Sequence, residues 1–326
     1  MRYLEVGGRH LSVVGLGVWQ FGSKGWGWNT EFGPSEADAI VKRARELGIT
    51  LFDTAEMYGA GRSEIALGAG LTGHRNEAYV ATKLWPTHAL RRQVVPALRR
   101  SLDRLGMQRV ELYQLHWPNP LVPLAWTMAG MRDAQEIGLV DEIGVSNFDL
   151  ARWRRADAGL GSAVISNQVC YNLVQRAPEN DLIPFAQAEN RLIVAYSPLA
   201  QGLLSGRYTA ANAPGGFRRA NHLFLPENIR RIQPLLEVLR EVAEAHHVTS
   251  AQIALAWTVR QPRVAAIPGA KSVWQLEQNA EAADINLTDD ELTVLDESSR
   301  AFHPEARIRS LREQVMRILS VSRRAA

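Results

Sequence analysis

Short apolar runs bounded by turn residues alternate along this chain with longer stretches of helical periodicity. The runs predict strands at 13–19, 50–53, 79–84, 110–116, 141–145, 163–169, 192–196 and 263–267. Between and after them, helices are expected at 35–47, from about 63, at 89–105, 124–137, 149–156, 180–190, 228–246, 249–260 and 272–282. Near-continuous apolar runs suit strands buried on both faces, and parallel strands need crossovers that helices supply. Eight such units predict an α/β fold of the (β/α)8 barrel type. An open dinucleotide-binding sheet is disfavoured, because Gly15-Leu16-Gly17 is followed by Gln20 where the G-x-G-x-x-G pattern needs its third glycine. Those two glycines read instead as a crowded strand or a bulge.

Local signals refine this outline. Residues 2–14 alternate around Gly7-Gly8 and predict an N-terminal β-hairpin. Ser35 reads as the N-cap of the first helix, with Gly48 ending it. Pro96 implies a kink or a late start in 89–105. The long connection 205–227, interrupted by Pro214-Gly215-Gly216-Phe217-Arg218-Arg219, is of a length that tends to carry function. Residues 1–300 are expected to form the barrel. Residues 301–326 are expected to form a basic helical extension, where Ile308, Leu311, Val315 and Leu319 recur at helical spacing and could pack on the barrel or on a second subunit.

Charge and composition exclude several classes. The net charge is +3, but 301–326 holds six arginines and two glutamates, so the remainder is near −1 and no general nucleic-acid surface is expected. Met1-Arg2-Tyr3-Leu4-Glu5 has no apolar signal core and no run approaches a membrane span, which predicts a cytoplasmic protein with no membrane partner. The single cysteine, Cys170, cannot form an internal disulfide and reads as an inert thiol. The eight histidines show no metal-ligand spacing, so no metal site is expected.

The chemistry concentrates where expected strands end. The run 50–53 leads into Asp53 and Tyr58, 79–84 carries Lys83, and 110–116 ends on His116. A lone tyrosine or histidine is usually a packed or satisfied polar residue. Together at the ends of successive strands, where barrels place their active sites, these four suit proton transfer. A neighbouring ammonium lowers a phenol's pKa, a carboxylate holds the ammonium, and a histidine can polarise a carbonyl oxygen. Only four lysines occur in this arginine-rich chain, Lys24, Lys42, Lys83 and Lys271, and two stand at candidate positions. No side chain can donate hydride, so a nicotinamide cofactor is implied.

Phe52-Asp53-Thr54-Ala55-Glu56-Met57-Tyr58-Gly59 with Ser63-Glu64 resembles the signature of the aldo-keto reductases. Thr82-Lys83, Leu115-His116, Gly144-Val145-Ser146-Asn147-Phe148, Asn167-Gln168, Tyr196-Ser197-Pro198-Leu199 and Ile267-Pro268-Gly269-Ala270-Lys271 follow in that family's order, from about residue 3 to 297. The resemblance implies that Tyr58 donates the proton, that Lys83 and Asp53 tune it and that His116 orients the carbonyl. It further implies NADP(H), held at Trp19, Asp53, Ser146, Asn147, Gln168, Tyr196, Ser197, Pro198, Leu199, Gly202, Arg207, Gly269, Lys271, Gln275, Gln278 and Asn279. Gln278 stands where glutamate is usual, and Gln275 where some relatives carry a second cation.

The substrate implied is a small carbonyl compound, an aldehyde or ketone. Trp19, Trp26, Trp28, Trp85 and Trp117 fall in or just after strand ends and would give its pocket aromatic walls. One branch of the family is similar to the potassium-channel β-subunits, so a cofactor-binding regulatory subunit is the alternative to an enzyme. The complete Asp-Tyr-Lys-His set favours the enzyme.

Overall fold

A computed structural model describes residues 1–209, 211–212 and 214–305. The hairpin pairs β1 (Tyr3–Val6) with antiparallel β2 (Arg9–Ser12). Eight parallel strands follow in unbroken sequence order: β3 (Leu16–Gly17), β4 (Leu51–Asp53), β5 (Tyr79–Leu84), β6 (Val110–Leu115), β7 (Val140–Ser146), β8 (Ser166–Cys170), β9 (Leu192–Tyr196) and β10 (Val264–Ala266). Bridges from Val14 to Ala266 and from Gly17 to Gly269 join the first strand to the last and close the barrel. The closure is tight. A Cβ on Gly17 would lie 2.7 Å from the Ile267 carbonyl oxygen, and one on Gly15 would lie 2.7 Å from Leu51. These glycines therefore serve close backbone approach, not phosphate binding.

The helices form the outer layer: α1 (Pro34–Glu46), α2 (Arg62–Gly70), α3 (Arg91–Leu105), α4 (Leu124–Glu136), α5 (Leu150–Leu160), α6 (Leu182–Ala188), α7 (Pro226–Arg231), α8 (Gln233–Ala245), α9 (Ser250–Val259), α10 (Val273–Glu281) and α11 (Asp289–Ala301). Four sequence expectations need correction. The first helix is capped at Gly33, not Ser35: Pro34 takes the first helical position, which suits its fixed φ, and the Glu36 carboxylate accepts from the Gly33 amide at 2.8 Å. α3 starts at Arg91 and continues through Pro96, which lies on its exposed face. The expected helix 228–246 is two, split at Ile232 just before Pro234. α11 is additional, and its Thr288-x-x-Glu291 capping box was a legible start signal.

Strand periodicity sorts the side chains into two cores. Phe52, Val80, Tyr113, Val145 and Ile193 face the helices. Leu51, Tyr79, Ala81, Leu112, Leu192, Val194 and Ala265 fill the barrel, together with Val6 and Leu11 of the hairpin, which plugs the barrel's N-terminal end. The inward column continues toward the C-terminal end, two residues beyond Leu51 at Asp53, beyond Ala81 at Lys83 and beyond Leu112 at Gln114. Polar groups there replace the apolar filling. The tail pattern at Ile308, Leu311, Val315 and Leu319 lies outside the described residues.

Candidate active site

Asp53 and Lys83 come from adjacent strands, at positions that period-two alternation points inward. Lys83 is fully buried, and its Nζ donates to Asp53 Oδ1 at 2.6 Å, to the Thr54 carbonyl at 2.8 Å and to the Tyr58 hydroxyl at 3.0 Å. An ammonium has three protons, and all three are directed. Asp53 is equally saturated, its Oδ2 accepting from Gln168 Nε2 at 2.7 Å and from Gln114 Nε2 at 3.5 Å. Three strands, β5, β6 and β8, thus grip one carboxylate that sequence reading connected only to Lys83. Gln114 was not anticipated; its inward position one strand from Lys83 in register was the available signal.

The electrostatics follow from burial. Desolvation works against the Lys83 ammonium, but Asp53 and then Tyr58 outweigh it and hold the pKa above the ordinary lysine value. For Tyr58, burial is the largest influence and pushes the phenol up; Lys83 opposes it and Asp53 adds to it. The expected lowering by Lys83 is therefore present but outweighed. His116 is buried, and desolvation followed by the Lys83 charge pulls its pKa down to about 3. Its imidazole is neutral at physiological pH. Its ring stands edge-on to Tyr58, with centroids 5.6 Å apart at 79°, and its Nδ1 is buried without a protein partner among the described residues.

The remaining strand ends continue the rim. Ser146 Oγ donates to the Gln168 carbonyl at 2.9 Å. Asn147, at φ 62, donates to the His116 carbonyl at 3.1 Å and accepts from the Tyr196 hydroxyl at 2.9 Å. Gln168 Nε2 donates one proton to Asp53 Oδ2 at 2.7 Å, which leaves its side-chain oxygen and its second amide proton for other partners. Beyond Tyr196, Ser197, Ala200, Gln201 and Gly202 all adopt positive φ. Left-handed non-glycine residues cost about 1–3 kcal/mol each and cluster at ligand clamps. Arg207 packs on Tyr208, and Pro198 and Leu199 lie within the same turn.

After β10, Ser272 caps α10 by accepting from the Gln275 amide at 3.2 Å, while the Gln275 side chain accepts from the Lys271 amide at 2.9 Å. Asn279 donates to the Gly269 carbonyl at 3.4 Å, and Gln278 donates to Glu281 at 3.2 Å. Lys271 Nζ donates to Glu31 at 2.6 Å, a partner from a distant loop that local sequence could not reveal.

The tryptophans divide. Trp19 is 41 % exposed and lies 6.1 Å from the Tyr58 ring and 4.9 Å from Trp26, and Trp85 stands edge-on to His116 at 5.3 Å. Trp117, which follows His116 in sequence, is exposed. Trp28 is buried against Phe21 and Phe32, in a packing role. Phe217 and Arg218 were not anticipated: Phe217 stacks near Trp19 and Trp26, and Arg218 lies 4.6 Å over Trp26. Cys170 donates to Gln175, and burial pushes its thiol up to about 12, so it is inert. Among the described residues no cluster suits a metal ion, and no helix is long and apolar enough to cross a membrane.

Comparison with known proteins agrees with this geometry. Residues 13–300 match the Aldo/keto reductase family. An uncharacterized oxidoreductase of Mycobacterium tuberculosis is 50% identical over 325 residues, covering 99% of this chain and 100% of its own. The methylglyoxal reductase YeaE of Escherichia coli is 33% identical over 289 residues, covering 88% of this chain and 91% of its own. The crystal structure of an aldo/keto reductase from Klebsiella pneumoniae in complex with NADP and acetate superposes with a TM-score of 0.75 at 30% identity, over 94% of this chain and 97% of that one.

Proposed function

The chain belongs to the aldo/keto reductase family, and on that premise we propose that it reduces an aldehyde or ketone to an alcohol with NADPH, Tyr58 delivering the proton. The observation that carries this reading is the Lys83 ammonium, bonded at once to Asp53 and to the Tyr58 hydroxyl.

The residues suit the cofactor. The turn from Ser197 to Gly202, where Ser197, Ala200, Gln201 and Gly202 adopt positive φ, and the nearby Arg207 would give one phosphate-binding end, with a bent backbone and a cation. Gly269, Lys271, Ser272 and the start of α10 add a second anion-binding end, with Gln275, Gln278 and Asn279 beside it. Trp19, Asp53, Ser146, Asn147, Gln168 and Tyr196 would hold the part of the cofactor between that end and Tyr58. When bound, the reduced nicotinamide supplies the hydride.

The chain's own residues supply the rest. Tyr58 passes its proton to the carbonyl oxygen as negative charge grows there. The phenolate left behind is stabilised by Lys83 at 3.0 Å, whose own charge is maintained by Asp53. Neutral His116 can donate a hydrogen bond to the same oxygen without carrying charge into a dry site. Trp19 and Trp85 enclose the carbonyl's substituents, with Trp117 at the edge.

The test is loss of NADPH absorbance with a panel of aldehydes and ketones that includes methylglyoxal, chosen because a relative reduces it. Tyr58→Phe should lose about 10²- to 10⁴-fold in turnover and keep NADPH affinity in a fluorescence titration. Turnover near wild type would remove Tyr58 as the donor. NADPH binding without turnover across the panel would favour the regulatory-subunit reading instead.

A further inference from the structure

Lys271 stands at the second anion-binding end that the proposed function gives to NADPH, where it would meet the 2′-phosphate that distinguishes NADPH from NADH, and its ammonium already has an anionic partner. The Glu31 carboxylate accepts from it at 2.6 Å, across 240 positions of sequence. Glu31 lies between β3 and α1, in a turn that is built to hold it. Gly27 adopts φ 90, and its carbonyl accepts from the amides of Thr30 at 3.1 Å, Glu31 at 2.8 Å and Phe32 at 3.4 Å. A Cβ at Gly27 would lie 2.6 Å from the Glu31 carboxyl carbon, so a larger residue there would push that carboxylate aside, besides being strained at this φ. Trp28 packs on Phe32 and Phe21, which pins the turn to the core, and the Phe32 ring lies 5.8 Å from the same ammonium. Lys271 first, then Arg218 and Arg207, hold the Glu31 carboxyl below the ordinary glutamate range. One carboxylate therefore faces three cations.

A phosphate group arriving at Lys271 must displace this carboxylate and then remain near a second negative charge. A cofactor whose ribose carries a bare hydroxyl meets neither obstacle. We propose that Glu31 is a specificity-determining residue that competes with the 2′-phosphate for Lys271 and so reduces the discrimination between NADPH and NADH. The inference rests on the assignment of Lys271 to that phosphate. Its size follows from exposure: the Glu31 side chain is 65% exposed and that of Lys271 21%. Exchange at such a site involves a surface ion pair, equivalent to about a 1.5- to 5-fold change in affinity.

NADPH and NADH are titrated, by tryptophan fluorescence at low salt, into wild type, Glu31→Gln, Lys271→Ala and the double variant, with thermal melts as a folding control. Glu31→Gln should bind NADPH about 1.5- to 5-fold more tightly and NADH as before, and the gain should shrink at high salt, where exposed charges are screened. In the Lys271→Ala background the same substitution should give a smaller gain. An unchanged or lower NADPH-to-NADH ratio in Glu31→Gln overturns the inference. So does weaker NADH binding, which would make Glu31 a ribose ligand, and so does an equal gain in both backgrounds. Should Lys271→Ala leave NADPH affinity untouched, the assignment of Lys271 itself fails and takes the inference with it; that arm tells the two failures apart.

Discussion

The two ends of the barrel mouth are built on opposite principles. At Tyr58 the charges are dry: Lys83 and Asp53 have side chains 0% and 3% exposed, and every Lys83 proton is directed at a partner. At Lys271 the ion pair is wet, with a partner from a surface loop. Burial makes the first pair rigid and expensive to break, because a charge left alone in the interior has no water to turn to. Exposure makes the second cheap to exchange, because water and salt can replace either partner. Proton chemistry requires fixed geometry, whereas the grip on a cofactor phosphate must be made and released, so the two constructions match the two proposed tasks.

The contrast is sharpest at Lys83. Lys83→Met leaves Asp53 buried with only amide partners and should destabilise the fold by about 3–5 kcal/mol in urea denaturation, besides removing most reductase activity. A loss below about 1 kcal/mol would make the buried end no tighter than the exposed one and break the comparison.

His116 gives an effect confined to a defined pH window. Its folded pKa of about 3 lies below the unfolded value near 6.5, so the unfolded chain binds the proton first. Its stabilising contribution is present in full above pH 6.5 and is lost as pH falls from there toward 3. The slope is one proton's worth, about 1.4 kcal/mol per pH unit. Stability measured against pH for wild type and His116→Gln should differ by that slope over that window. Parallel curves would mean that His116 is not held neutral by the fold.

The smallest of the three lies at the wet end. Lys271→Ala should weaken NADPH roughly tenfold, the lower part of the range for a hydrogen bond to a charged group, because Glu31 already occupies the ammonium and Gln275 supplies no second cation. NADH affinity and the thermal midpoint should stay put, read by cofactor titration and a melt. A matching loss for NADH would detach Lys271 from the 2′-phosphate.

Much of this was legible beforehand where the physics is local. Strand and helix alternation gave the order of the barrel units, since hydrophobic periodicity reports which face is buried. The convergence of Asp53, Tyr58, Lys83 and His116 followed from their places at strand ends. Boundaries set by caps are less secure: Ser35 carries the right chemistry for an N-cap, yet Pro34 begins the helix one residue earlier, and the capping box at Thr288 starts a helix that lies beyond the last barrel unit.

What the sequence determined by itself is therefore the set of units and the inward-facing polar positions near their ends, because β alternation has a period of two and needs no partner to define it. Which inward groups meet was decided by tertiary structure. Strand register put Gln114 level with Lys83, and barrel closure brought Gln168 across to Asp53, 115 residues away. The same folding carried Glu31 to Lys271 and left His116 desolvated. Those outcomes depend on distances and burial between remote segments, quantities that no local pattern encodes.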